Sequence, residues 1–184
     1  MTKNVKIYVR YYKGGEKVLK LNEKVMYGTT GVCVVQSVED KRIGKEIKKY
    51  YVLKPVSQTS STVYIPADNE KLLSKVRRVL SVEEIKTMLS SLSDEPDIWT
   101  DNDNERREKF SEIITSGDRK ACLVLVRTLH NRQSALSGTG KRLHIADERA
   151  LKEAQRLIQD EFSVVLNIQP CEVGAYIKCE TENI

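Results

Sequence analysis

N-E-K-V-M-Y-G-T-T-G-V-C-V-V-Q-S-V-E (22–39), K-K-Y-Y-V-L-K-P-V (48–56) and S-S-T-V-Y-I-P-A-D-N-E-K-L (60–72) decide the fold class. Three runs rich in Val, Ile, Tyr and Thr are separated by Gly-, Lys- or Ser-rich breaks. That spacing predicts a small, strongly bent antiparallel β-module. Val25 and Tyr27 alternate into a turn at 28–31. Residues 32–38 are nearly continuous in apolar side chains, as in a strand buried on much of both faces of a small barrel. The charged stretch 39–49, with Gly44 inside it, reads as a hairpin loop. Residues 50–56 form the next strand, stopped near Pro55. In 62–65, Val63 and Ile65 share one face and Thr62 and Tyr64 the other. Residues 77–80 read as a short closing strand.

From Ser81 the period changes. Ser81 with Glu84 three positions on is a capping box, and Val82, Ile85, Met88, Leu89 and Leu92 follow at helical spacing. Residues 93–96 end that helix. The connector 97–100, Asp-Ile-Trp-Thr, carries the only tryptophan. Residues 105–115 are helical, with Phe110, Ile113 and Ile114 as the stripe. Ser116-Gly117-Asp118 is a C-cap followed by an N-cap. Residues 119–131 form a strongly apolar helix, 133–140 a loop, and 144–165 the longest helix, whose Ala146, Ala150 and Ala154 permit close packing. Residues 171–177 add one more helical turn. The chain therefore reads as α+β, a small β-barrel followed by a compact all-helical domain. The divisions fall at 1–18 (an extension with Val5, Ile7 and Val9 in strand alternation), 19–80 and 81–184.

Composition narrows the function. No run of about 18 apolar residues exists to cross a membrane, and residues 1–10 lack the apolar core of a signal peptide. The four cysteines (Cys33, Cys122, Cys171, Cys179) are irregularly spaced, without C-x-x-C or a zinc pattern. They read as reduced thiols of a cytoplasmic protein. The net charge of +5 hides an asymmetry. Residues 1–78 carry 17 Lys+Arg against 7 Asp+Glu, or +10, and residues 79–184 carry 14 against 19, or −5. A basic first half suits a phosphate backbone or an acidic protein face. Catalytic motifs are missing. No G-x-S-x-G occurs, and G-T-G-K-R (138–142) lacks the first glycine and the Ser or Thr of a phosphate loop. His130 and His144 have no partner at motif spacing. No enzyme, metal or cofactor is expected.

Binding is better supported. Trp99 sits among Asp, Asn and Thr rather than on an apolar stripe. Two roles are open to it: a ring folded back onto the helical core, or a wedge against nucleic acid. Arg106, Arg107 and Lys109 are placed to reach phosphates beside such a wedge, or are helix-surface charge balanced by Glu105, Glu108 and Glu112. Lys141, Arg142 and Arg149 form a second basic cluster where the helix dipole does not favour cations.

Several segments, in order, carry a resemblance: K-V-M-Y-G-T-T-G-V-C-V-V, Y-Y-V-L-K, S-T-V-Y-I-P-A-D-N, the lone Trp before R-R-x-K, S-G-D, L-V-R-T-L and E-R-A-L-K-E-A-Q-R-L-I-Q-D-E-F. Across residues 19–166 the chain resembles the CarD/CdnL family of bacterial transcription regulators. The resemblance implies a Tudor-like N-terminal module that binds the RNA polymerase β subunit. It also implies a helical domain that contacts promoter DNA at the upstream edge of the bubble, where a tryptophan wedges into the minor groove. Trp99 matches the wedge, Arg106, Arg107 and Lys109 the basic group after it, and Lys41 or Arg42, with Tyr64, the polymerase-contacting positions. Residues 133–140 look inserted. The expected protein is a monomeric, cytoplasmic, non-enzymatic regulator of the open promoter complex. The alternative is a free-standing nucleic-acid binder that uses the basic first half.

Overall fold

The computed structural model describes residues 19–44, 46–57 and 60–182; the expected N-terminal extension lies outside them. The chain divides into two compact units between Val79 and Leu80.

The first unit is an antiparallel sheet of β1 (Lys24–Tyr27), β2 (Gly31–Ile43), β3 (Glu46–Pro55), β4 (Val63–Pro66) and β5 (Val76–Arg78), in the order β4-β3-β2-β1-β5. Its core is Leu19, Val25, Cys33, Val35, Leu53, Ile65 and Val76, all fully buried. Each large aliphatic side chain so buried contributes on the order of 1.5–3 kcal/mol. The register of β2 on β3 shifts between Val35 and Ser37. Such a bulge bends the strand, so one long β2 serves both the core and the outer hairpin.

Two expectations need correction. The stretch 39–49 is not a loop: β2 and β3 stay paired from Glu39↔Tyr50 to Ile43↔Glu46, and the chain turns at Gly44, with φ +63°. Both faces of this outer hairpin meet solvent, so charges replace the alternation that marks a half-buried strand. The barrel is also not closed. The sheet is open, with β4 and β5 at its edges. These strands have only four and three residues, and α1 (Glu70–Leu73) lies between them in the chain. Leu72 and Leu73 pack on the core there, which covers it without pairing the two edges.

The second unit holds α2 (Val82–Ser90), α3 (Asp103–Ser116), α4 (Arg119–Ser137), α5 (Ile145–Leu166) and α6 (Val173–Glu182). Local chemistry sets the boundaries. Glu84 N–H donates to Ser81 Oγ at 3.2 Å, and Ser81 N–H to Glu84 Oε2 at 2.8 Å, the expected reciprocal cap. Gly117, with φ +64°, ends α3, and Asp118 caps α4 by accepting from Ala121 N–H. His144 caps α5 through Nδ1. The core joins Ile85, Leu89 and Leu92 to Cys122, Leu123 and Val124 of α4, Ile158 and Phe162 of α5, and Val173 of α6.

Here too the sequence reading falls short twice. Helix α4 continues to Ser137, through most of the stretch read as an inserted loop. Residues 130–135 are exposed all round, so no apolar stripe betrays the helix. Helix α6 has ten residues rather than one turn. No helix among the described residues is long and apolar enough to cross a membrane.

Candidate functional site

Trp99 belongs to the connector between α2 and α3, and α4 holds that connector from one side. Thr128, nearly fully buried on α4, accepts from Ile98 N–H at 3.0 Å and donates to Asp97 Oδ1 at 3.3 Å. Arg127, one residue earlier, donates to the carbonyls of Leu92 and Glu95 and pairs with Asp97. The side chain of Ile98 packs on the helical core. The backbone on either side of it is thus fixed before Trp99 begins, and the indole is presented rather than left to wander.

The ring is half-buried and is not packed in that core. Its environment is polar. Indole Nε1–H donates to Asp101 Oδ1 at 2.8 Å. The guanidinium of Arg106 lies 4.4 Å from the ring centroid and that of Arg132 lies 4.2 Å from it, both within cation–π range. Arg132 also pairs with Asp101 at 3.6 Å. Asp97, Trp99, Thr128, Asn131 and Arg132 line an open recess of about 280 Å³.

The two arginines differ. Arg106 is only 5% exposed. It donates from Nε and Nη2 to the two oxygens of Asp147, each at 3.2 Å, from Nη2 to Asp103 Oδ1 at 2.6 Å, and from Nη1 to the Thr100 carbonyl at 2.8 Å. Burial alone would favour losing its proton, but the hydrogen bonds to Asp147 and Asp103 reverse that and hold its pKa above the usual value. The bond from Arg106 in turn holds the Asp103 carboxyl below the ordinary carboxylate range. Arg106 is therefore not on the surface where a phosphate contact was expected. Its guanidinium is spent inside the protein, joining the start of α3 to Asp147 at the start of α5.

That bridge has a consequence for the other basic residues. Arg107 and Lys109 are exposed on α3, Lys141 and Arg142 are exposed just before α5, and Arg149 is exposed on α5. The two clusters are separate in sequence, yet the Arg106–Asp147 pair brings the helix ends that carry them to the same end of the unit as Trp99.

In the sheet unit, Lys41 Nζ stands 3.3 Å from the centroid of the Tyr64 ring, and Tyr64 is 44% exposed. Neighbouring residues of β2 point to opposite faces, and Lys41 is the one beside Tyr64. Arg42 is exposed.

Sequence reasoning missed Asp101, Thr128, Arg132 and Asp147. Thr128 lies within L-V-R-T-L, a segment that marks the family but gives this threonine no role, and Asp147 lies in no motif; only the tertiary fold joins them to residues 30 and 41 positions away. Asp101 had a faint signal, being an acceptor two residues from a tryptophan whose N–H needs one.

Two family models match the chain. Residues 19–79 match the CarD-like/TRCF RID domain, and residues 87–178 match the CarD C-terminal domain.

Proposed function

The chain belongs to the CarD family of RNA polymerase-interacting, non-enzymatic transcription regulators, and from that premise we propose that it stabilises the open promoter complex. The sheet unit grips the polymerase β subunit through the face that carries Lys41 and Tyr64. The helical unit, as a monomer, sets Trp99 against promoter DNA at the upstream edge of the bubble. Arg107, Lys109, Lys141, Arg142 and Arg149 contribute phosphate contacts, and Arg106 positions the ring from beneath. The observation that carries this reading is the state of Trp99: half-exposed, outside the apolar core, and held in a polar frame on a fixed connector.

The net negative charge of residues 79–184 sets the terms. A mildly acidic unit has little affinity of its own for DNA. Tethering to polymerase raises the local DNA concentration to roughly millimolar, so weak contacts suffice. A ring inserted between bases costs a few kcal/mol of unstacking. That cost falls where strands are already parting, so the wedge favours the open state through its differential affinity alone.

The test is Trp99→Ala on a promoter whose open complex is short-lived. The variant should still bind polymerase, while the lifetime gained from the wild-type protein should fall roughly five- to 150-fold, the range expected from ~1–3 kcal/mol per stacked base. An unchanged lifetime removes the wedge. Tyr64→Ala supplies the converse: polymerase binding should weaken, and the lifetime effect should return when the variant is added in excess.

A further inference from the structure

Arg132 stands on a stretch of α4 that the family resemblance did not assign, and its surroundings are those of a group held in reserve. It is 44% exposed, and its carboxylate partner, Asp101, is 93% exposed at 3.6 Å. A pair so open to water contributes little. Its second contact, over the Trp99 ring at 4.2 Å, is weak at an exposed site. Both are cheap to exchange. Arg106, on the same ring, has the opposite standing: its bonds to Asp147 are buried, and breaking such a pair is strongly destabilising because it leaves a buried charge uncompensated. One arginine is fixed under the indole and the other is loosely parked over it.

Asp101 is the hinge of this arrangement. One of its oxygens, Oδ1, accepts from the indole N–H and pairs with Arg132. A DNA strand approaching Trp99 brings phosphates into the space beside that exposed carboxylate. Like charges repel there, and the guanidinium fork matches a phosphate as well as a carboxylate. We propose that Arg132 is a phosphate-binding residue of the promoter interface, held over Trp99 and against Asp101 until a DNA phosphate takes the place of that carboxylate. Asp101 is then the opposing element: it neutralises Arg132 in the free protein and leaves the unit weakly attracted to DNA until polymerase delivers it.

This inference rests on the open-complex reading above, and the experiment separates the two. The full chain is titrated onto polymerase held on fork-junction promoter DNA, at salt concentrations spanning a fourfold range, as wild type, R132Q, R132K and D101N. Each phosphate contact contributes about 0.9 to the slope of log affinity against log salt. R132Q should therefore lose about one unit of slope relative to wild type, or roughly a three- to fourfold smaller fall in affinity across that range. R132K should keep the slope, since the charge remains. D101N should keep the slope and bind more tightly at every salt. Equal slopes for wild type and R132Q overturn the assignment while leaving the wedge standing. If the wild-type chain binds that complex no better than polymerase without DNA, the promoter reading and this inference fall together. If D101N binds more weakly than wild type, Asp101 is not an opposing element and the exchange is refuted.

Discussion

The two units bury different chemistry. Among the described residues of the sheet unit, the buried side chains are apolar, from Leu19 to Val76. The helical unit buries Arg106, Thr128, Asp147 and Glu161, each at 5% exposure or less. A buried charge is expensive, and an apolar replacement of similar shape is often as stable. Its value here is placement. Arg106 ties α3 and the Thr100 carbonyl to Asp147, 41 residues on. Arg119 donates to both oxygens of Glu161 at 2.8 Å, and Leu80 N–H donates to Glu161 Oε1 at 2.9 Å. One network fixes the connector that carries Trp99, and the other fixes the residue where the helical unit begins. The sheet unit holds its geometry through backbone pairing, and apolar packing suffices for it. The helical unit must hold irregular connections in one geometry, which apolar contacts specify poorly.

The largest effect should come from breaking the second network. Glu161→Ala leaves the Arg119 guanidinium and the Leu80 N–H without their carboxylate, at a cost of about 3–5 kcal/mol. Trp99 is the only tryptophan, so its emission reports the unfolding of the helical unit in denaturant. A loss below about 1 kcal/mol would mean that buried charge does not organise this unit. Next in size, Leu53→Ala in the sheet core should cost about 2–5 kcal/mol by cavity formation. The sheet's circular dichroism should show that loss, while the tryptophan transition stays where it was. A coordinated shift of both signals would show that the two units unfold as one.

This difference also decides what the sequence could reveal. The sheet and most of the helices were legible because each has a periodic apolar face or a local cap. Val25, Cys33, Val35, Leu53 and Ile65 announce the sheet core, and Ser81, Gly117 and Asp118 mark helix ends within three or four residues. Illegible parts lack a local signal. The outer β2–β3 hairpin and residues 130–135 of α4 are solvated on all sides, so neither shows a period. The two edge strands were legible as short runs, but whether they pair with each other is set by the tertiary fold and leaves no local signal. At the site, Trp99 stood out by composition, whereas its frame is built by Thr128, Arg132 and Asp147 from distant helices. Arg106 was misplaced for the same reason: beside Arg107 it reads as surface charge, and only Asp147 reveals it as buried.

A smaller effect probes the local side of the comparison. Ser81→Ala removes one half of the reciprocal cap at α2 and should cost about 1 kcal/mol. Ser81→Asp should recover most of it, because an aspartate accepts the same N–H and suits the positive end of the helix. If the alanine variant is as stable as wild type, the start of α2 is held by the Glu161 network at Leu80, and the cap adds nothing.

The smallest effect is the one at the rim of the Arg106 cluster. The hydrogen bond from Arg106, followed by its charge, depresses the Asp103 carboxyl in the folded protein. An unfolded aspartate titrates near about 3.9, so between that value and the lower folded one the unfolded chain binds more protons than the folded chain. Stability from this group is therefore complete above about pH 4 and is lost as pH falls through the folded value. Asp103→Asn removes that dependence and leaves Asp147 facing Arg106. The stability difference between wild type and Asp103→Asn should be level from neutral pH down to about pH 4, then shrink toward lower pH. Because Asp103 is exposed, solvent screens the pair and the difference should be small throughout. A difference that stays constant down to pH 2 would show that Asp103 touches Arg106 without favouring the folded state. The buried Asp147 alone would then hold the arginine under the indole.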